Sequence, residues 1–153
     1  MEGLENHSPL RLIIDRELKI IKTSAIINDS RKKNTIIFHN SNNKMKINSL
    51  KSKGIKLKYV DLDINGQLNL KKIFSNIYKM GVTSIIIEGG KSLTKNLLKN
   101  NLINEFYLFR SNKNLKKSGK NNILDLIKKI NNSFKKKENI DTFLNGEEII
   151  RYF

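Results

Sequence analysis

The sequence predicts an α/β fold, a mostly parallel sheet built by crossover connections and finished by an antiparallel hairpin near the C-terminus. Three observations carry this. Between residues 34 and 109, short runs of branched apolar residues alternate with stretches of helical apolar spacing, the pattern of βαβ units. Residues 83–87 (TSIII) end in three consecutive isoleucines, as in a strand covered on both faces. Asn145-Gly146 stands between two short extended stretches, a strong local hairpin signal.

The elements follow in order. Residues 1–9 are a polar lead-in closed by Pro9, the only proline, and residues 10–153 form one domain. Residues 10–14 (LRLII) read as a buried strand ending at Asp15-Arg16. Residues 24–27 read as a second short extended segment, and residues 34–38 (NTIIF) as a strand. Residues 43–53 predict a weak helix anchored by Ile47 and Leu50 and closed by Gly54. Residues 55–60 alternate apolar and basic side chains, with Ile55, Leu57 and Tyr59 on one side, hence a half-buried strand. A turn centred on Asn65-Gly66 follows. Leu70, Ile73, Phe74, Ile77 and Tyr78 recur at helical spacing, with Gly81 where a left-handed cap belongs. After the strand at 83–87, residues 91–101 predict a helix with Leu93, Leu97 and Leu98 inward, and residues 103–109 a strand. Residues 113–122 are basic and polar and read as a loop, residues 123–130 as a short helix, and Lys135 to Lys137 as a solvated run. Residues 141–144 and 148–152 are the expected hairpin strands.

Composition bounds the function. With 153 residues, 38% of them hydrophobic, the chain can bury one core of ordinary size. It has no cysteine, which excludes a disulfide framework and Cys-ligated zinc. With two histidines a His-rich metal centre is not expected. No apolar run reaches the roughly 18 residues of a membrane span, and no signal peptide opens the chain; a cytoplasmic protein is the expectation. The net charge of +16 invites a nucleic-acid reading. Against it, Lys, Asn and Ile number 25, 22 and 23, and only 5 of the 30 basic residues are Arg. These are residues of A/T-only codons, so the bias looks genomic. Arg and stacking aromatics, which nucleic-acid sites favour, are scarce. A basic nucleic-acid-binding module without enzymatic activity stands as the alternative.

The stretch that carries chemistry is residues 84–94, where a strand ends in Glu88, Gly89 and Gly90 and a helix begins. Glycines let backbone pass close to a ligand. A helix start presents free N–H groups and the positive end of its dipole, a place where phosphate binds. Ser92 and Thr94 could add hydroxyl donors and Lys91 a charge. The stretch matches neither a Walker A loop nor the Rossmann G-x-G-x-x-G. The plain reading is a strand-to-helix turn whose glycines only permit packing. Asp15, Arg16 and His39 also end expected strands, where ligands of open α/β sheets sit; each is equally readable as an ordinary surface or capping residue.

These residues resemble a known family. Ser8 through Ile20 (SPLRLIIDRELKI) is similar to the P-x-R-V-V-L-D-x-x-L-R-I stretch in the reductase half of the bifunctional riboflavin biosynthesis deaminase/reductase protein. Gly81 through Gly90 resembles its G-I-x-S-L-L-V-E-G-G signature, and Leu102 through Glu105 its later L-V-D-E. The resemblance implies a dihydrofolate-reductase-like fold, with helices on both faces of a mixed sheet. It implies NADPH-dependent reduction of 5-amino-6-(5-phosphoribosylamino)uracil to the ribitylamino phosphate. By position, Glu88 would contact this phosphoribosyl-pyrimidine. Gly89, Gly90, Lys91, Ser92, Leu93 and Thr94 would hold NADPH, and Arg16 would lie against it. A homodimer is compatible with the family; a membrane partner or a metal is not implied. The family's reductase also carries a G-x-x-T turn and a D-N-P-x-L-x-x-R segment with its catalytic aspartate, neither of which this sequence contains. The catalytic residue therefore stays unassigned, and the expectation is an incomplete reductase domain, truncated or inactive as a fragment. The motifs of the zinc deaminase half do not occur in this sequence either.

Overall fold

The computed structural model describes residues 9–29, 34–111, 123–141 and 147–153. They fall into two compact units that divide between Ser84 and Ile85.

Unit 1 is a three-stranded parallel sheet. Strands β1 (Arg11–Ile14), β2 (Thr35–His39) and β3 (Lys56–Tyr59) lie in the order β1-β2-β3. Their register aligns Ile13 with Ile37 and Ile37 with Leu57, so these three side chains form one row on one face. Two crossover helices, α1 (Ala25–Asn28) and α2 (Lys44–Lys51), supply Ile26, Ile27, Ile47 and Leu50 to the core around that row. On the opposite face of β2, Ile36 and Phe38 are also buried. All five residues of β2 are buried, as a central parallel strand requires. The amphipathic helix α3 (Leu70–Tyr78) buries Leu70, Ile73 and Ile77, while Tyr78 is exposed. Gly54, Gly66 and Gly81 all have positive φ, each at a place where the sequence predicts a turn or a helix end.

The C-terminal ends of the three strands are tied together. Asn40 donates its backbone N–H to the Arg16 carbonyl at 2.9 Å and its side-chain amide to the Val60 carbonyl at 2.8 Å. The Ser41 N–H donates to His39 Nδ1 at 3.2 Å, which leaves the ring proton on Nε2. His39 is buried and meets the Tyr59 ring edge-on, with centroids 5.9 Å apart.

Unit 2 contains helices α4 (Lys91–Lys99) and α5 (Leu124–Ser133) and an antiparallel sheet. Its strands are β4 (Phe106–Ser111), β5 (Lys137–Ile140) and β6 (Glu147–Tyr152), in the order β4-β6-β5. Leu98, Leu126, Ile130, Ile150 and Tyr152 form its core, with Ile103, Phe106, Leu108 and Phe134 packed against them. The fold class is as expected: parallel strands with helices first, antiparallel strands last.

Three elements differ from the sequence reading. Residues 24–27, expected extended, enter helix α1, in which the Asp29 N–H donates to the Ala25 carbonyl at 2.9 Å. A connection between parallel neighbours must leave the sheet, and that overrides the β-propensity of Ile26-Ile27. The Asp29 carboxylate is then clamped by both Arg11 terminal nitrogens at 2.6 and 2.9 Å. The strand described beside β6 is residues 137–140, and Lys137, expected in a solvated run, begins it; residues 142–144 of the expected hairpin strand lie outside the described residues. Asn145-Gly146 lies outside the described residues, as does the loop expected at 113–122.

The third difference is the largest. Residues 83–87 form no strand, and Ile86 is 92% exposed. Strand propensity needs a partner edge to satisfy the backbone, and no ladder among the described residues includes this run. β1 and β4 are terminal in their sheet orders.

Two outcomes follow. A bare Thr-Ser-Ile-Ile-Ile run without charge is an association-prone segment. Ile86→Lys is expected to slow concentration-dependent aggregation, read by light scattering, and to change unfolding free energy by no more than about 0.5 kcal/mol. Unaltered aggregation would clear the run of that role. Separately, burial pushes the His39 pKa below its usual 6.5, Lys51 adds to the depression and Asp15 opposes it. The unfolded chain then binds the proton more readily, so stability falls as pH drops through about 6.5 and levels off below the folded pKa. Urea unfolding of wild type and His39→Gln between neutral and mildly acid pH tests this, and the variant should lose that part of the pH dependence.

Candidate functional site

The turn at residues 88–94 sits wholly in unit 2. Gly90 is the N-cap of α4, with φ −72° and ψ 173° and no side-chain cap hydrogen bond. A glycine here offers no oxygen to the helix's first N–H groups, which a Ser, Thr, Asp or Asn would cap. The helix ladder opens with the Thr94 N–H donating to the Gly90 carbonyl at 3.1 Å.

The two glycines differ in what they accommodate. A Cβ on Gly89 would come within 3.0 Å of Leu93 Cδ2 and 3.3 Å of its Cγ. Gly89 thus has a packing reason to be glycine. A Cβ on Gly90 would meet nothing within 4 Å, and its backbone angles are open to any residue. Neither packing nor conformation accounts for glycine at position 90, and the space beside it lies open.

The side chains around the turn are unevenly engaged. Thr94 is buried, and its hydroxyl donates to the Gly90 carbonyl at 3.2 Å, a bond within the helix's first turn. Lys91 Nζ pairs with Asp125 Oδ1 at 2.9 Å, and Lys95 with the other oxygen of the same carboxylate. Hydrogen bonds from Lys95 and Lys91 hold the Asp125 carboxyl well below the usual carboxylate range. Asp125 on α5 therefore bridges two lysines one turn apart on α4. Glu88 and Ser92 are exposed, and Leu93 is partly buried beside Gly89.

Arg16 belongs to unit 1, in the turn after β1. Its Nη1 donates to the Gly66 carbonyl at 2.6 Å and its Nη2 to Glu17 Oε1 at 2.5 Å. Lys19 and Arg16 together draw Glu17 down to about 2. Asp15 anchors the same turn, accepting from the N–H groups of Lys19 at 2.9 Å and Ile20 at 2.8 Å. This turn also holds Leu18 at a positive φ of 54°. Glu105, last residue of the Leu102–Glu105 match, is structural: it accepts from Arg151 at 3.0 and 3.2 Å and from the Tyr107 hydroxyl at 2.8 Å. A concave depression of about 300 Å³ lies at the other end of α4, lined by Leu98, Asn101, Ile103, Asn104, Ser133 and Phe134. It includes none of the residues the sequence singled out. Among the described residues no cluster of metal-ligating side chains exists, and no helix is long and apolar enough to cross a membrane.

Sequence reasoning missed Asp125 and Asn40. Asp125 had a signal, an acidic residue in the first turn of an expected helix. Asn40 had none, because its role depends on two loops being brought side by side.

The chain belongs to the family described as the RibD C-terminal domain, which matches residues 1–123. It is also similar in fold to a pyrimidine reductase-like protein from Corynebacterium diphtheriae, with a TM-score of 0.64 and 15% sequence identity. That alignment covers 92% of this chain and 59% of the other, so the chain spans little more than half of its neighbour's length. The chain is thus a RibD C-terminal family domain that shares the fold of a pyrimidine reductase-like protein.

The contrast between the glycines is measurable. Gly89→Ala is expected to cost about 1 kcal/mol through crowding of Leu93, and Gly90→Ala no more than about 0.5 kcal/mol. Chemical denaturation of the two variants decides it; equal losses would mean that both glycines serve packing.

Proposed function

We propose that this chain supplies the cofactor-holding part of a riboflavin-pathway reductase that uses NADPH to reduce 5-amino-6-(5-phosphoribosylamino)uracil. The observation that carries the reading is Gly90. It is a glycine with no packing or conformational need, at the uncapped start of a nine-residue helix, in a chain of the RibD C-terminal domain family. Such a cradle fits the pyrophosphate of a dinucleotide. Bound NADPH supplies a hydride for C1 of the ring-opened ribose.

In this reading the residues divide the work. Gly90 lets the anion approach the backbone, and the first-turn amides of Lys91, Ser92 and Leu93 donate to it. The Ser92 hydroxyl, exposed at the first turn, adds a further donor. Thr94 closes the first turn rather than reaching the ligand, since its hydroxyl donates to Gly90. Lys91 contributes positive potential while its ammonium stays paired with Asp125. Gly89 belongs to the turn that leaves Glu88 exposed, and in this reading the Glu88 carboxylate accepts hydrogen bonds from the substrate's hydroxyl or ring N–H groups. Arg16 is related to the cofactor by the family resemblance alone; within unit 1 its guanidinium donates to the Gly66 carbonyl and to Glu17. No residue described here is assigned as the proton donor.

Calorimetric titration with NADPH tests the reading. Binding is expected, and Gly90→Val should weaken it at least about tenfold, a loss of roughly 1.4 kcal/mol. A folded wild-type chain that takes up no NADPH would sink the proposal. Loss of nicotinamide absorbance in the presence of the phosphoribosyl-pyrimidine reports whether the chain turns over. The competing reading draws on the charge of +16. It predicts instead nucleic-acid binding that persists at physiological salt with a sequence preference, whereas scattered lysines give only weak, salt-sensitive association.

A further inference from the structure

The turn between β3 and α3 is held closed by one residue. Leu62 and Leu68 pair across its base as an isolated antiparallel bridge, and the Asp63 N–H donates to the Gln67 carbonyl at 2.7 Å. Asp63 also gathers the tip. Its Oδ1 accepts from the N–H of Asn65 at 2.8 Å and of Gln67 at 2.9 Å, and its carbonyl accepts from the Gly66 N–H at 3.0 Å. The backbone amides of 65, 66 and 67 are thus all held by Asp63.

The tip itself is in water. Ile64 is fully exposed and Asn65 is exposed. Among the described residues the Asn65 carboxamide engages no partner; only its backbone N–H does. Gly66 sits at φ +70°, and a Cβ built on it would meet nothing within 4 Å, so no atom crowds the peptide that joins 65 to 66. Of the 22 asparagines, two precede a glycine, Asn65 and Asn145, and only Asn65 lies among the described residues.

This pair of residues has a chemistry of its own. The backbone nitrogen that follows an asparagine, once it gives up its proton, attacks the side-chain Cγ. The bond from Cγ to the side-chain nitrogen breaks, ammonia leaves with a proton from solvent, and a five-membered succinimide remains. Water then opens the ring at one carbonyl or the other. The products are aspartate, or isoaspartate, in which the main chain runs through the former side chain. No electrons are gained or lost: one water is taken up and one ammonia released. Glycine favours the attack, because no Cβ shields its nitrogen and its backbone turns freely. In the folded turn the attacking nitrogen belongs to the Gly66 N–H that Asp63 holds, and the amides on either side are fixed by the Asp63 carboxylate. Ring closure therefore waits for the turn to open. We propose that Asn65 is a site of spontaneous deamidation, an age-dependent covalent modification of this chain, whose rate is set by the hold of Asp63 on the turn.

The modification reaches beyond the turn through what the turn anchors. The Gly66 carbonyl accepts from Arg16 Nη1 at 2.6 Å. Aspartate at position 65 places a new negative charge one residue from that anchor. Isoaspartate adds an atom to the main chain just before Gly66 and shifts its carbonyl, which leaves Arg16 with Glu17 as its partner.

The test ages the whole chain at mildly alkaline pH and follows the tryptic peptide 59–71, which lies between Lys58 and Lys71. Chromatography with mass spectrometry reads the exchange of the carboxamide NH2 for OH and separates aspartate from isoaspartate. A synthetic peptide of the same residues gives the rate without the fold. The whole chain should accumulate both products at position 65, more slowly than the peptide. Asp63→Ala should raise the rate at least about fivefold, since each hydrogen bond lost shifts an equilibrium by a factor of about 2 to 10. Lys72→Ala, which removes the partner of Asp61 in the same turn but leaves the Asp63 bonds in place, should not change it. Thermal melts establish that each variant is folded, and Asn65→Gln, whose longer side chain cyclises poorly, should abolish the products. The proposal is overturned if the whole chain and Asp63→Ala both keep Asn65 intact while the peptide converts. A whole chain that reacts as fast as the peptide overturns it too, as does a rate that Asp63→Ala leaves unchanged or that Lys72→Ala raises equally.

Discussion

The burial of β2 is the constraint from which the rest of unit 1 follows. Every residue from Thr35 to His39 is out of water, so each backbone group needs a partner on both sides and each face needs a cover. β1 and β3 meet the first need in parallel register. Parallel neighbours cannot be joined by a tight turn, so the chain leaves the sheet twice, and α1 and α2 cover the Ile13–Ile37–Leu57 row. The same constraint lines up the three C-terminal strand ends, where Asn40 stitches the loops after β1, β2 and β3.

Residues 83–87, where the two units divide, show what happens when that constraint is not met for a comparable segment. Residues 83–87 have the apolarity of a covered strand, yet no ladder among the described residues takes them in. The helix that follows does not depend on them. α4 is held by its own apolar stripe, with Leu97 and Leu98 buried, and by the Asp125 bridge to α5. The glycine turn is thus supported from its C-terminal side, by the helix it opens. This also explains why Gly89 and Gly90 part company: Gly89 is packed by Leu93 from within α4, while Gly90 faces outward at the helix start.

Arginine side chains join elements of this chain, as Lys91 and Lys95 do through Asp125. Arg11, Arg16, Arg110 and Arg151 each pair with a carboxylate, and the pairs of Arg11, Arg110 and Arg151 join separate elements. Their planar forks suit such two-point contacts. Arg151 is the fullest case, holding Glu105 and Glu138 from a central strand, and its effect reaches Tyr107, whose hydroxyl is pushed up by the Glu105 carboxylate it donates to. Individually these exposed pairs are worth little.

What the sequence alone determined was local and periodic. The 3.6-residue spacing of Leu70, Ile73 and Ile77 is realised as the buried stripe of α3. The apolar runs of β1 and β2 are strands, and the glycines at 54, 66 and 81 hold the positive φ their positions called for. The Glu-Gly-Gly helix start was legible as well, because a helix terminus and a missing Cβ are properties of a few adjacent residues. The tertiary structure alone decided which propensities had a partner. Ile26-Ile27 became helix because a parallel crossover had to leave the sheet, and Ile85 to Ile87 stayed out of every ladder among the described residues because a strand exists only beside another. It alone separated Gly89 from Gly90 and paired Lys91 with Asp125. Those outcomes depend on what lies within a few ångströms in space, a distance that the order of residues along the chain does not encode.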